Sequence, residues 1–151
     1  MIFDPEIYCS AAEVAELDGT EPLTLTGSGL WVGVLSRGVC LLDGFDRPGQ
    51  SGDILLGAAP LTLTPQTDCH LLGVRLAGRC TDAYLLQLGA PRWADGAACP
   101  GAAELLAQLH GVRTPAMAYA LLCAIDRADE TARPLPPLVA EAVAAIRQNY
   151  M

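Results

Sequence analysis

The sequence contains no lysine. Its nine basic residues are all arginine, and seventeen acidic residues outnumber them. The formal net charge is −8 and the sequence pI is about 4.5. Affinity for a phosphate backbone depends on clustered positive charge, so an acidic chain with scattered arginines is a poor ligand for nucleic acid. The sequence therefore predicts that this segment does not itself contact DNA or RNA.

Long hydrophobic runs are also missing, although 52% of the residues are hydrophobic and the mean hydropathy is +0.33. The longest uncharged apolar run in a helical region, residues 116–125, is far shorter than the roughly 20 residues of a membrane helix. The first six residues include acidic side chains and no basic ones, unlike a signal peptide. We expect a cytoplasmic protein without membrane contact.

Metal-ligand patterns are absent as well. His70 and His110 are the only histidines, and they lie far apart in the sequence. No CxxC pair occurs, and the cysteine spacing matches no zinc template. We expect no metal and no cofactor, and we interpret the cysteines as reduced thiols that fill the core, with a redox-sensing thiol as the alternative. The six are Cys9, Cys40, Cys69, Cys80, Cys99 and Cys123.

Signatures of nucleophilic catalysis and of phosphate binding are missing too. No G-x-S-x-G motif occurs, and no glycine-rich loop leads from a strand into a helix in phosphate-binding form. Asp53 follows Gly52 and is most simply a turn former that hydrogen-bonds its own backbone. We therefore expect that the chain is not an enzyme.

Short apolar and β-branched runs separated by turn residues dominate the first half. They predict six strands, at residues 23–26, 30–36, 39–42, 54–56, 61–64 and 69–76. So many short strands with little room for helices between them favour antiparallel pairing in a small barrel or sandwich. Both faces of the strand around Trp31 are apolar, which is typical of a sheet whose outer side is covered by helices.

Helical patterns frame these strands. Ser10 followed by Glu13 resembles a capping box and predicts a short helix at residues 10–17. Residues 81–88 are also helix-like. Apolar residues at i, i+3, i+4 and i+7 then mark two helices, and Thr114 with Pro115 forms the N-cap and first position of the second one. The short link at 111–113 predicts a helical hairpin.

The last nineteen residues are different in character. Residues 133–137 read as a stiff proline linker. Val139, Val143, Ile146 and Tyr150 then draw one apolar stripe along a helix that has no stop signal. This pattern predicts that the chain was cut from a longer protein.

The order of these elements resembles the N-terminal half of arabinose-regulator (AraC/XylS) family transcription regulators. Residues 30–38, 51–56 and 70–78 look like the cupin-type barrel of that family, in which a Gly-Asp turn precedes an apolar strand. Residues 138–150 are similar to the first helix of the family's DNA-binding domain, which commonly ends in an Ile-x-x-Asn-Tyr-like pattern. In fold terms, the resemblance implies a mainly β protein with C-terminal helices (α+β): a small cupin-like antiparallel barrel or sandwich followed by a helical hairpin.

The resemblance also implies a division of labour. Residues 1–92 would form an N-terminal extension and the barrel that senses a small-molecule effector. Residues 98–130 would form the hairpin that pairs two subunits into a homodimer, and residues 131–151 the proline linker and first helix of a truncated DNA-binding domain. Two helix-turn-helix units beyond Met151 would read DNA. The function expected from the resemblance is therefore that of an effector-sensing and dimerisation domain of a transcription regulator.

Three residues are candidates for the pocket lining that a sensor barrel needs. Trp31 opposite Gly33 could hold a flat or apolar ligand, or could be a plain core residue. His70 is either a hydrogen-bonded wall residue or a ligand contact, and Arg75 either forms a salt bridge, faces solvent or meets an anionic group. The apolar stripe of the hairpin packs onto the barrel and is also a candidate dimer interface, comprising Leu105, Leu106, Leu109, Met117, Leu121, Leu122 and Ile125.

Two other functions remain open on the sequence alone. A metal-free cupin enzyme, an isomerase or lyase, would need acids or histidines lining the barrel. A stand-alone protein-interaction module would need the gene to end near Met151.

Overall fold

The computed structural model describes residues 7–99 and 101–132. Alternating strands and turns fill the first half of this part, and helices follow. The strands are β1 Ser10–Gly19, β2 Leu23–Leu25, β3 Leu30–Arg37, β4 Cys40–Leu42, β5 Ile54–Ala58, β6 Leu61–Pro65, β7 Cys69–Ala77 and β8 Arg92–Ala94. The α-helices are α1 Arg79–Leu88, α2 Ala102–Gly111 and α3 Pro115–Ala132, and a short 3-10 helix spans Gly96–Ala98.

The strands form two antiparallel sheets. The larger has the order β1-β7-β3-β5-β8 and the smaller the order β2-β6-β4. The six strands predicted from the sequence are β2 to β7, with bounds that differ by one or two residues. The prediction of a mainly β chain with C-terminal helices is therefore confirmed.

Each face of the larger sheet has its own apolar core. Leu30, Val32 and Val34 of β3 point one way, into a cluster that includes residues of all three α-helices. Trp31 and Leu35 point the other way, into a cluster shared with the smaller sheet. Side chains alternate along a strand, so one short run supplies both cores. The predicted helix cover on the outer face is confirmed.

The predicted helix at residues 10–17 is wrong, because this segment is strand β1, which pairs along nearly the whole length of β7. The register shifts between Ala11 and Glu13, where a β-bulge inserts Ala12. Ala11 and Val14 consequently lie on the same face and pack against the helix-side core. A bulge places same-face residues three apart instead of two, which imitates the spacing of a helix.

The hairpin of α2 and α3 forms as the sequence predicts. The Thr114 hydroxyl accepts a hydrogen bond from the backbone N–H of Met117 at 3.2 Å, the geometry of an N-cap. At the end of α2, His110 Nε2 donates to the Gly73 carbonyl oxygen at 2.9 Å and ties the helix to β7. The hairpin is therefore fastened to the larger sheet.

The proline linker at 133–137 and the helix at 138–150 lie outside the described residues. None of the helices in the described ranges combines the length and the hydropathy that crossing a membrane requires.

Candidate functional site: an apolar groove beside helix α3

Trp31 lies in the core between the two sheets, with 1% of its surface exposed. Its indole N–H donates to the Thr26 carbonyl oxygen at 2.9 Å. A Cβ on Gly73 would lie 3.6 Å from the Trp31 ring, and one on Gly33 would lie 3.2 Å from Leu71. The space opposite these glycines is thus filled by Trp31 and Leu71 themselves. The position of Trp31 therefore agrees with the interpretation that it is a plain core residue.

Arg75 is paired with Trp31 across strands β7 and β3 and points to the same face. Its Nε donates to the Glu13 carboxylate at 3.1 Å, and its NH1 donates to the Ser28 carbonyl oxygen at 2.7 Å. Arg75 therefore forms a structural salt bridge to β1 and holds the loop before β3 in place.

His70 lies on the opposite face of β7, five positions from Arg75 along a strand whose faces alternate. Its Nε2 donates to the Glu16 carboxylate at 3.2 Å, and the Ser36 hydroxyl lies 2.7 Å from its Nδ1. His70 is thus a hydrogen-bonded wall residue near the surface. The structure does not bring the three predicted pocket residues together.

The candidate dimer residues are mostly covered by the chain's own sheet. Leu106, Leu109, Leu121, Leu122 and Ile125 are buried in the helix-side core. Leu105 and Met117 are only partly buried at its edge. The stripe is therefore used largely for packing within one chain, and pairing of two subunits through its partly exposed members stays a prediction.

A groove of about 630 Å³ lies beside the first turn of α3. Three parts of the chain wall it: the segment that leads into β1, the first turn of α1, and the start of α3. We call it the apolar groove, and define it by Tyr8, Cys9, Cys80, Thr114, Pro115, Ala116 and Tyr119.

Gly78 permits the close approach of two of these walls. Its φ of 126° lies in the region that favours glycine, and a Cβ there would lie 2.5 Å from the Tyr8 carbonyl oxygen. The same oxygen accepts a hydrogen bond from the Cys80 backbone N–H at 2.9 Å. The chain before β1 and the start of α1 are consequently held together at the groove.

Thiols and phenols supply the polar chemistry of the groove. All six cysteines are free, and Cys80 is the more accessible of the two that line it. Burial raises the pKa of Cys9, whose thiol lies 3.9 Å from the Thr81 hydroxyl. A hydrogen bond to Cys123 raises the pKa of Tyr119, which is 51% exposed. The raised pKa keeps the Cys9 thiol and the Tyr119 phenol in their uncharged forms at neutral pH, and both can act as hydrogen-bond partners.

A smaller and more polar cleft of about 250 Å³ adjoins the groove and shares Cys80 and Tyr119 with it. Gln87 and Asp126 add an amide and a carboxylate there. Within residues 7–99 and 101–132, no three His, Cys, Asp or Glu side chains are grouped so that they could hold a metal ion.

Sequence reasoning missed the groove. Its walls come from positions far apart in the chain, and none belongs to a motif for ligand binding. The one usable signal was the Thr114-Pro115 helix start, which predicts where α3 begins but not what faces it.

Comparison with models of known protein families gives no match for this chain, and comparison with curated proteins gives none either.

Proposed function

We propose that this chain is the effector-sensing and subunit-pairing part of a cytoplasmic transcription regulator, with a cupin-like arrangement of its two sheets. The observation that carries the proposal is the order of the fold: an antiparallel two-sheet unit, then a helical hairpin seated on its outer face. That order is the one expected from the resemblance to arabinose-regulator proteins.

The charge of the chain supports the same role. A net charge of −8 disfavours direct contact with DNA, so reading of DNA belongs to another part of the regulator. The sensing part then acts by changing how its helices are held, which shifts the population of DNA-binding arrangements.

The packing of the hairpin offers a route for such a shift. Leu106 and Leu121 anchor α2 and α3 on the larger sheet, whereas the first turn of α3 borders the apolar groove. An effector near that turn changes the contacts of the helix that leads toward the C-terminal end of the chain. The proposal thus links sensing to helix placement.

A fusion experiment tests the pairing half of this function. Residues 1–151 are joined to a DNA-binding unit that represses a reporter gene only as a dimer. We expect repression by the fusion and none by the DNA-binding unit alone, because pairing raises the effective concentration of the second DNA-binding unit.

Equal reporter output from the fusion and from the unpaired unit, at equal protein levels, contradicts subunit pairing. Sedimentation of the isolated chain gives an independent reading, since a strict monomer at high concentration removes the dimer from the proposal.

A further inference from the structure

We propose that the apolar groove binds a neutral, largely apolar small molecule. The inference names the class of effector for the sensing role proposed above and rests on that role for its biological meaning. The binding itself can be measured on the isolated chain.

The size of the groove fits a small ligand. Its volume of about 630 Å³ lies within the roughly 300–1,000 Å³ of typical small-molecule sites. The two tyrosines give it broad ring surfaces, and Pro115 and Ala116 give it aliphatic ones. Tyrosine rings combine a large apolar area with a polar tip, a common arrangement where flat ligands bind.

The lining favours a ligand without charge. Among the described residues that wall the groove, none carries a charged side chain. The Thr114 hydroxyl already caps α3, and the Cys9 thiol already faces Thr81. An anion would therefore meet no cationic side chain in the lining itself, and it would approach a chain whose net charge is −8.

The interior between the sheets is a weaker place for a ligand. Trp31, Leu35, Leu55, Leu63 and Leu71 fill it, and each is at most 1% exposed. Opening it would separate closely packed side chains, whereas the groove is already formed. Its three walls belong to different segments, so one bound molecule would bridge the start of α3 to the start of α1.

Two dyes that share one ring system test the ligand class. N-phenyl-1-naphthylamine is neutral, and 1-anilinonaphthalene-8-sulfonate has the same rings with a sulfonate. We expect saturable one-to-one binding of the neutral dye, and binding of the sulfonate weaker by about tenfold or more, followed by fluorescence.

Two substitutions on α3 test the location. Ala116→Phe places a ring in the groove from an exposed helix position, and we expect it to weaken binding of the neutral dye by about tenfold or more. Ala120→Phe is the matched control, because Ala120 is exposed on the same helix and is outside the lining. We expect it to leave the affinity unchanged.

The thiols give a readout that needs no substitution. Cys80 and Cys123 are partly exposed and the other four cysteines are buried, so N-ethylmaleimide should modify these two first. Saturating neutral dye should slow the modification of Cys80 by about fivefold or more, because a ligand in the groove covers it. Peptide mass spectrometry measures the rate at each cysteine.

Several results would overturn the inference. Unsaturable dye binding, equal affinity for the two dyes, unchanged affinity in Ala116→Phe, or unprotected Cys80 each contradicts it. A wild-type dimer that Ala116→Phe dissociates would instead assign the groove to a second copy of the chain. Failure of the reporter fusion with intact dye binding would contradict the subunit pairing proposed above and leave ligand binding in the groove supported. Repression by the fusion without dye binding would contradict only the ligand proposed for the groove.

Discussion

Replacing Trp31 with alanine should lower the free energy of unfolding by about 3–5 kcal/mol, among the largest effects of any single substitution here. The ring is fully enclosed between the two sheets and its N–H bonds to the Thr26 carbonyl oxygen. Truncation leaves a cavity and an unpaired carbonyl group. Urea unfolding followed by circular dichroism measures the loss.

Trp31→Phe provides the control. It keeps most of the ring and removes the N–H, so we expect a loss of about 1–2 kcal/mol. A loss below about 1 kcal/mol in Trp31→Ala would show that Trp31 borders open space, as a pocket residue would, and not a packed core.

Truncation of Leu106 should cost about 2–5 kcal/mol, because this side chain is fully buried between α2 and the larger sheet. Leu105→Ala is the matched control, one position along the same helix and only partly buried, with an expected loss of about 1 kcal/mol. Both values come from the same denaturant titration.

The two variants, Leu105→Ala and Leu106→Ala, also test whether the apolar stripe of the hairpin packs within one chain or between subunits. Equal losses in Leu105→Ala and Leu106→Ala, or a loss in Leu106→Ala that depends on protein concentration, would contradict a stripe that packs mainly within one chain. A dependence on concentration would point to burial between subunits instead.

The strands β2 to β7 could be predicted because turn residues bound each of them and side-chain alternation shows both faces. Leu30, Val32 and Val34 are apolar on the face of β3 opposite Trp31, and this indicated that helices cover the outer side of the sheet. Thr114 and Pro115 predicted the start of α3 for a local physical reason, the capping of free N–H groups.

Other features depend on tertiary contacts that no local pattern carries. β1 is rich in alanine and glutamate, and its bulge imitates helical spacing, yet pairing with β7 determines its structure. β8 is three residues long, too short for any period, and exists through its pairing with β5. The sequence did not predict these two.

The site was the least predictable part. Trp31, His70 and Arg75 stood out by residue type, but their partners are a packed core, Glu16 with Ser36, and Glu13 with Ser28. The apolar groove is made of unremarkable residue types from three segments. Two of these segments meet where Gly78 contacts the Tyr8–Cys9 backbone, and that contact exists only in the folded chain.

We propose that this chain serves a protein that reads DNA, and the most direct test is DNA binding by the product of the complete gene. The coding sequence after Met151 is read, and the full product is titrated with a pool of random duplexes at increasing salt. We predict two helix-turn-helix units with an excess of basic residues, and binding that falls steeply as salt rises. A complete gene product that ends at Met151, or one that binds no duplex at low salt, would contradict the claim.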